Sequence, residues 1–230
     1  MERVVRTIEA IAVPPGARRV VGLAGGVASG KTTLAEALAA ALGETAIVST
    51  DAFLLPNVVL EQRGLAMRKG FPDSYDWVRL AATIEAFRRG DGPVSVPSYS
   101  HVRYDIEPGV EQQVPPSTTV IVEGVNALQV PPGGNQPLAY DLAVYLETSE
   151  ADQRRWLSQR LVESIRAAAD QPESFYHAMA GWSVEQIDEF AGQVWDAING
   201  PNLHEHIQPS SEHADLIVTK DGAHRIVSVA

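Results

Sequence analysis

A glycine-rich segment near the start of the chain has the composition and spacing of a phosphate-binding loop. Residues 25–32 read GGVASGKT, which matches the pattern GxxxxGK[ST]. In this pattern the glycines let backbone N–H groups turn towards phosphate, Lys31 reaches the β- and γ-phosphates, and the Thr32 hydroxyl binds Mg²⁺. The sequence therefore predicts a site for ATP and Mg²⁺ that is formed by Gly25, Gly26, Val27, Ala28, Ser29, Gly30, Lys31, Thr32 and Thr33.

Two carboxylates follow short apolar runs, each near the point where a predicted strand ends. Asp51 comes shortly after the run 46–48, and Glu123 comes directly after the run 119–122. Because the carboxyl ends of parallel strands share one edge of a sheet, both acids should lie near the phosphate loop. Phosphoryl transfer to an alcohol needs a carboxylate that accepts the hydroxyl proton, and a second carboxylate can hold Mg²⁺ or its waters. The spacing leaves open which acid has which role, and either acid could simply belong to a turn.

The apolar runs predict strands that are covered on both faces, because they do not alternate with polar residues. These runs are 20–23, 46–48, 119–122, 142–145 and 216–218. Helical patterns separate several of them, at 32–42, 77–89, 152–169 and 183–198. The last pattern opens with Ser183 and Gln186, which form a capping box. The alternation predicts an α/β protein with the P-loop NTPase fold, a doubly wound and mostly parallel sheet with helices on both faces.

The overall composition limits the partners and the surroundings of the protein. The 230 residues carry a formal net charge of −11, which argues against nucleic acid as a partner because backbone binding needs a basic face. Cysteine is absent and the apolar runs are short, so we expect no disulfides, no membrane partner and a cytoplasmic location. No linker divides the chain, which predicts one domain over residues 1–230. Lysine occurs only at Lys31, Lys69 and Lys220.

Several sequence blocks resemble the type I pantothenate kinases of bacteria, in the same order along the chain. The blocks are TDAFLLPN at 50–57, RGL at 63–65, KGFPDSYD at 69–76, YSHVRYD at 99–105, EGVNALQ at 123–129 and LIVTK at 216–220. Uridine kinases and phosphoribulokinases share the P-loop and the general architecture, but they lack the blocks at 69–76 and 99–105. The resemblance implies a kinase that transfers a phosphoryl group from ATP to a small metabolite.

The resemblance also implies roles for individual residues. Asp51 becomes the catalytic base beside the substrate hydroxyl, which leaves Glu123 as the acid associated with Mg²⁺, together with Thr32. Three further residues are implied to contact the acceptor: Tyr99, His101 and Asn199. Arg160 is implied to reach the transferring phosphate from a helical lid over residues 150–200, and Lys31 and Arg160 join Asp51 as catalytic residues. The family likeness further implies a homodimer.

The spacing around Arg160 agrees with this role. Leu157, Arg160, Leu161 and Ser164 lie at i, i+3, i+4 and i+7, so one helix face carries an arginine among mostly apolar side chains. A guanidinium in that position can neutralise charge on phosphate oxygens. Without the resemblance, Tyr99 would instead be read as a core aromatic residue and His101 as a loop residue.

The chain departs from the family pattern where the acceptor is covered. Leucine, serine and alanine stand at positions where pantothenate kinases have a tyrosine and phenylalanines, namely Leu157, Leu161, Ser164 and Ala169. We therefore expect the acceptor to be covered by largely aliphatic side chains with fewer polar groups to bind it. Pantothenate is the leading candidate for the acceptor, and other functions stay open. These alternatives are a nucleoside or sugar kinase on the same scaffold and a nucleotide-binding regulatory protein without an acceptor. Glu36 replaces an arginine that the family uses for coenzyme A, which argues against inhibition by coenzyme A.

Overall fold

The central sheet confirms the predicted alternation of strands and helices. The computed structural model describes residues 1–90 and 92–230. Its strands are β1 (Arg19–Gly25), β2 (Thr45–Ser49), β3 (Val94–Ser100), β4 (Asp105–Val114), β5 (Thr119–Glu123), β6 (Leu142–Glu147), β7 (Leu216–Lys220) and β8 (Ile226–Val229). The main sheet has the order β2–β5–β1–β6–β7–β8, and its neighbouring strands are parallel except for β7 and β8. Each predicted apolar run lies within one of these strands.

Helices cover both faces of this sheet. They are α1 (Glu2–Glu9), α2 (Lys31–Leu42), α3 (Asn57–Gln62), α4 (Trp77–Arg89), α5 (Glu150–Ala167), α6 (Val184–Val194) and α7 (Gly200–Asn202). On one face, apolar residues of α1 and α2 pack against Val21, Leu23 and Ile121. On the other face, α4 packs against Val20 and Val120, while α5 and α6 pack around Ala143 and Tyr145 of β6. The unalternating strands are thus buried on both sides, as the sequence predicted.

The strands β3 and β4 form a separate antiparallel hairpin that the sequence patterns did not predict. Its residues Val94, Val96 and Val114 pack into the same core as α4. Most of β4 is exposed, so the strand lacks the alternation that identifies a half-buried strand. The hairpin carries the YSHVRYD block, because Tyr99 lies near the end of β3 and the connection 101–104 leads into β4. It therefore brings Tyr99 and His101 towards the sheet edge.

The helical region after β6 begins as predicted and continues further than predicted. Ser183 caps α6, and its capping box with Gln186 is complete. Beyond α6 the chain runs through two π-helical turns, Trp195–Asn199 and Leu203–Ile207, which flank α7. Such wide turns are rare and are frequent at functional sites. None of the helices in the described part of the chain has the length and apolar character needed to cross a lipid bilayer.

Candidate active site

The order of the strands gathers the predicted phosphate site at one edge of the sheet. Strand β5 lies between β1 and β2, and Glu123 at its carboxyl end pairs with Leu23 on one side and Ser49 on the other. The glycine-rich loop follows β1, and Asp51 lies in the 3₁₀ turn that follows β2. Three separate sequence motifs therefore meet at neighbouring strand ends, as the parallel sheet requires.

The glycine-rich loop has backbone conformations that require glycine at two positions. Gly30 has a φ of 88°, and a Cβ atom there would lie 2.5 Å from the Lys220 ammonium. A Cβ atom on Gly25 would lie 2.6 Å from the backbone oxygen of Leu146. Helix α2 begins directly afterwards at Lys31, so its N-terminus points at the space the loop encloses. The loop and the helix together form a cradle for an anion.

Lys31 lies buried inside this cradle. Its ammonium donates a hydrogen bond of 2.9 Å to the carbonyl of Gly26. Burial lowers the pKa of Lys31, and the positive charges of Arg160 and Lys220 lower it further, while Glu123 and Asp51 oppose this effect. The lysine is thus desolvated and lies near both cations and carboxylates, and a bound polyphosphate anion would favour its charged form.

Glu123 and Thr32 form the oxygen-rich part of the site. The Thr32 hydroxyl donates a hydrogen bond of 3.0 Å to Glu123 Oε1. Burial raises the pKa of the Glu123 carboxyl, and the negative charge of Asp51 raises it as well, whereas Lys31 and the bond from Thr32 lower it. Among the described residues there is no cluster of three carboxylate, histidine or cysteine side chains. The hydroxyl and the carboxylate suit Mg²⁺, which binds through few protein oxygens and completes its shell with water and phosphate oxygens.

Asp51 connects the phosphate site with a group of aromatic residues. Its backbone N–H is bound by the Ser49 side chain, which fixes the turn after β2. Burial raises the pKa of Tyr104 to about 12, and both Tyr176 and Asp51 add to this rise. The pKa of Tyr99 is raised in the same way, by burial first and then by charges that include Asp51. Asp51 is therefore close enough to the phosphate-side residues Lys31 and Glu123 and to these tyrosines to influence their charge.

Several aromatic rings pack together near Asp51. The Tyr99 ring lies 5.1 Å from the His101 ring and 6.3 Å from the Tyr104 ring. The Tyr104 ring in turn lies 5.1 Å from Phe175 and 6.4 Å from Tyr176. These rings come from the β3–β4 connection and from the segment after α5, positions that the expectation of an aliphatic cover from residues 157–169 did not include. We call Tyr99, His101, Tyr104, Phe175 and Tyr176 the aromatic cluster.

Lys69 lies against this cluster, and the sequence patterns did not assign it a role. Its ammonium lies 4.4 Å from the centre of the Tyr104 ring and 5.3 Å from that of Tyr99. It also donates hydrogen bonds to Asn57 Oδ1, at 2.6 Å, and to the carbonyl of Tyr104. The cation therefore faces the space next to Asp51 from the KGFPDSYD block.

Arg160 lies near the site residues, whereas no described contact joins Asn199 to them. Arg160 is exposed on α5, and its charge lowers the pKa values of Lys31, Tyr104 and Tyr176. Within residues 1–90 and 92–230 it forms no ion pair or hydrogen bond, so its guanidinium is available to a ligand. Asn199 is half-buried in the first π-helical turn, and no hydrogen bond joins it to another described residue.

A second lysine binds the glycine-rich loop, which the sequence patterns did not reveal. The Lys220 ammonium donates a hydrogen bond to the carbonyl of Ser29 and lies 4.8 Å from the centre of the Trp156 ring. The His224 ring stacks on the Trp156 ring, with 4.2 Å between the ring centres. Lys220 is the last residue of β7. A charged residue at the end of a parallel strand could therefore have indicated that it lies near the phosphate loop.

The fold and the edge site define a P-loop kinase. A parallel α/β sheet presents a GxxxxGK[ST] loop, a lysine in its cradle, and carboxylates at the two neighbouring strand ends. The model of the phosphoribulokinase/uridine kinase family matches residues 20–163.

Curated relatives narrow this class of P-loop kinases to one family. A pantothenate kinase from Leifsonia xyli subsp. xyli is 40% identical over 220 residues, which cover 91% of this chain and 68% of the relative. A pantothenate kinase from Sorangium cellulosum is 38% identical over 219 residues, which cover 91% of this chain and 71% of the relative. The chain belongs to the pantothenate kinase family, within the phosphoribulokinase/uridine kinase family, and is an ATP-dependent phosphotransferase.

Solved structures agree on the fold. A proposed fructose transport system kinase from Silicibacter sp. TM1040 has a TM-score of 0.70 and 26% identity, and the match covers 92% of this chain and 93% of that one. A D-glycerate 3-kinase from Cryptococcus neoformans has a TM-score of 0.64 and 16% identity, with coverage of 100% and 95%. At that identity, the second likeness supports the fold alone.

Proposed function

We propose that this protein transfers the γ-phosphoryl group of ATP to the hydroxyl of pantothenate, giving 4′-phosphopantothenate. The observation that carries the proposal is the position of Asp51, which interacts electrostatically with Lys31 and Glu123 on one side and with Tyr99 and Tyr104 on the other. A carboxylate between a phosphate cradle and an aromatic acceptor site is suited to accept a hydroxyl proton. The names of relatives that are 38–40% identical support pantothenate as the acceptor.

The phosphate side neutralises charge during the transfer. The loop residues 25–33 bind the phosphates through backbone N–H groups, and Lys31 contacts the β- and γ-phosphates. Arg160, which is exposed and near Lys31, contacts the transferring group from α5. A guanidinium there stabilises the negative charge on the phosphoryl oxygens as the bond to the leaving group breaks.

The acceptor side presents the hydroxyl to Asp51. Asp51 accepts the hydroxyl proton as the acceptor oxygen attacks the γ-phosphorus. Tyr99 and His101, whose rings are in contact, bind the acceptor together with Asn199. The aromatic cluster excludes water from the reacting atoms, which favours transfer to the acceptor over hydrolysis of ATP.

Magnesium completes the proposed site. The Thr32 hydroxyl and the Glu123 carboxylate, already 3.0 Å apart, would hold Mg²⁺ together with its waters. The ion would shield the β- and γ-phosphate oxygens and so lower the cost of bringing an oxygen nucleophile to them.

Lys69 favours pantothenate over neutral acceptors. Its ammonium lies beside the aromatic cluster, where a ligand carboxylate could form an ion pair with it. Pantothenate carries a carboxylate, whereas nucleosides and simple sugars do not. One observation favours a second candidate, a sugar kinase: the likeness to the proposed fructose transport system kinase, at 26% identity and a TM-score of 0.70.

The helices of residues 150–200 are proposed to act as a lid within one domain, residues 1–230. Support comes from α5, which carries Arg160 towards the phosphate site, and from the segment after it, which carries Phe175 and Tyr176 towards the acceptor site. A homodimer and a cytoplasmic location are further proposals that rest on the family likeness. Light scattering of the purified protein would test the dimer.

The acceptor is tested by measuring ADP release with pantothenate, uridine, cytidine and fructose. We expect turnover with pantothenate above the rate without acceptor; turnover only with another alcohol would contradict the proposal. In parallel, Asp51→Asn should lower acceptor-dependent turnover by about 100- to 10,000-fold, because the general base is lost. The variant should still bind ATP, since the glycine-rich loop and Lys31 are unchanged. An unchanged turnover number in Asp51→Asn would remove Asp51 from the mechanism.

A further inference from the structure

The peptide carbonyl of Gly70 is held by two buried asparagines. Asn126 Nδ2 donates to this oxygen at 2.6 Å, and Asn202 Nδ2 donates to it at 2.9 Å. On its other side, the N–H of Gly70 donates to Ser74 Oγ at 2.9 Å. All three side chains are buried, with exposed fractions of 0% for Asn126, 5% for Asn202 and 0% for Ser74. A single glycine that follows Lys69 is thus fixed through both of its backbone polar groups.

These bonds join three segments that carry predicted site residues. Asn126 lies in the loop that follows Glu123, and Asn202 ends α7, three residues after Asn199. Gly70 follows Lys69, whose ammonium faces Asn57 and the ring of Tyr104. The Gly70 carbonyl is therefore a common anchor for the phosphate side, through β5, and for the acceptor side, through Lys69 and the π-helical region.

Stability alone gives a poor account of Asn202. Its Oδ1 atom is buried and forms no hydrogen bond with the described residues. A buried amide that leaves its acceptor unpaired is penalised by the desolvation of that atom, whereas an apolar side chain of similar shape is not. The hydrogen bond that Asn202 donates therefore explains why an amide stands at this position. Its only acceptor in the described residues is the Gly70 carbonyl.

We propose that Asn126 and Asn202 are positioning residues for the acceptor, because they set the place of Lys69 relative to Asp51 through the Gly70 carbonyl. The inference rests on the proposed function, in which Lys69 binds the acceptor carboxylate. Among the described residues, neither asparagine donates a hydrogen bond to the phosphate loop, whereas their shared acceptor adjoins Lys69, so we expect their removal to affect the acceptor more than ATP.

Kinetics of Asn202→Leu give the first test. We expect the KM for pantothenate to rise by about 10- to 100-fold, as for a binding group displaced by up to an ångström, with the KM for ATP within about twofold of wild type. The matched control is Gln129→Leu. Gln129 is also buried and donates to a backbone carbonyl, that of His206, and in the described part of the chain it forms no bond to Gly70. An equal rise in both variants, or equal changes for both substrates, would overturn the proposal.

A double-mutant cycle shows whether Asn202 acts through Lys69. If it does, Asn202→Leu should change the KM for pantothenate by less than about twofold when Lys69→Met is already present, because coupled residues are not additive. A purely structural role predicts additive effects, which would overturn the proposal. Asn126→Leu is the second variant, and it should repeat the pattern of Asn202→Leu if it folds.

Hydrogen exchange tests the anchor without turnover. In Asn202→Leu, the amides of residues 66–76 should exchange at least several-fold faster than in Gln129→Leu, because the Gly70 carbonyl has lost a partner. Equal exchange in both variants would contradict the anchor whatever the acceptor proves to be. An absence of pantothenate turnover in the wild-type protein, together with faster exchange in Asn202→Leu alone, would instead contradict the proposed function and support the anchor.

Discussion

Lys69 is a cation whose charge depends on conditions close to neutral pH. Burial lowers its pKa to about 8, and this effect exceeds the opposing attraction of Asp105 and Asp51. The groups that face it are these two carboxylates, the rings of Tyr99 and Tyr104, and the amide oxygen of Asn57. Since a lysine is charged below its pKa, Lys69 is a cation at pH 7 and is largely neutral at pH 9.

The binding of an anionic acceptor should therefore weaken above pH 8. We expect the KM for pantothenate to be nearly constant from pH 6 to 7.5 and then to rise by about tenfold per pH unit once Lys69 is neutral. Initial rates at varied pantothenate and saturating ATP measure this profile. In Lys69→Arg the cation persists at high pH, so its KM should not rise in this range. A wild-type KM that stays flat to pH 9.5 would exclude an ion pair with Lys69.

The residues that the sequence located best were those at strand ends. Lys31, Thr32 and Glu123 meet as expected, because a loop motif and a parallel strand fix the backbone on which each side chain stands. Phe175 and Lys220 were not assigned to the site, although Phe175 packs against Tyr104 and Lys220 binds the glycine-rich loop. Their positions depend on contacts with Val102 and Ser29, which lie far away along the chain. No local pattern encodes such a distant contact.

Two connections form the cover over the proposed acceptor site. The backbone N–H of Phe175, in the segment after α5, donates to the carbonyl of Val102 at 2.8 Å, in the turn between β3 and β4. The Phe175 and Tyr104 rings add a contact at 5.1 Å. Phe175 is 49% exposed, so its contacts on the cover are partial and its removal should leave the core intact. The hairpin turn and the lid segment thus hold each other in place.

Removal of the Phe175 ring should loosen this cover. In Phe175→Ala we expect the KM for the acceptor to rise about fivefold, since a half-exposed phenylalanine contributes roughly 1 kcal/mol of apolar contact. More ADP should also form without phosphorylated product, because water can enter the site. The ratio of ADP to phosphorylated product measures this leak.

Phe190→Ala is the matched control for the cover. Phe190 is an aromatic residue on α6 that packs edge-on against Trp182, at 5.7 Å, and no ring contact joins it to the hairpin turn. It should keep the wild-type ratio of ADP to product. If both variants leak equally, general loosening of the helical region explains the result and the paired cover is wrong.

At the level of elements, strongly patterned segments were predictable and the irregular ones were not. Helix α4 has the predicted bounds, and α6 starts at its capping box. The hairpin was missed because β4 is exposed and contains Pro108 and Gly109, both of which are uncommon within strands. The π-helical turns were missed because their backbone differs from an α-helix by one extra residue per turn, which packing decides and side-chain spacing does not reveal.

The molecule as a whole is acidic, yet its phosphate site is a local cluster of cations. The net charge is −11, but Lys31 lies at this edge with Arg160 and Lys220. Their charges add to the effect of burial in lowering the pKa of Lys31, against the opposing charges of Glu123 and Asp51. Repulsion between these positive charges destabilises the folded protein as long as no anion is bound beside them. Binding of a polyphosphate should therefore relieve this repulsion and add stability to the folded state.

Thermal unfolding with a non-hydrolysable ATP analogue and Mg²⁺ tests this expectation. At about 100 times the dissociation constant, the ligand should add about 2.7 kcal/mol, which raises the Tm of a protein of this size by roughly 5–10 °C. Lys31→Ala should lose most of the shift, because the cradle loses its buried cation. Lys69→Met removes the same charge from the acceptor side and should keep the full shift, which separates a contact with phosphate from a general effect of net charge. Equal shifts in the two variants would show that nucleotide binds elsewhere.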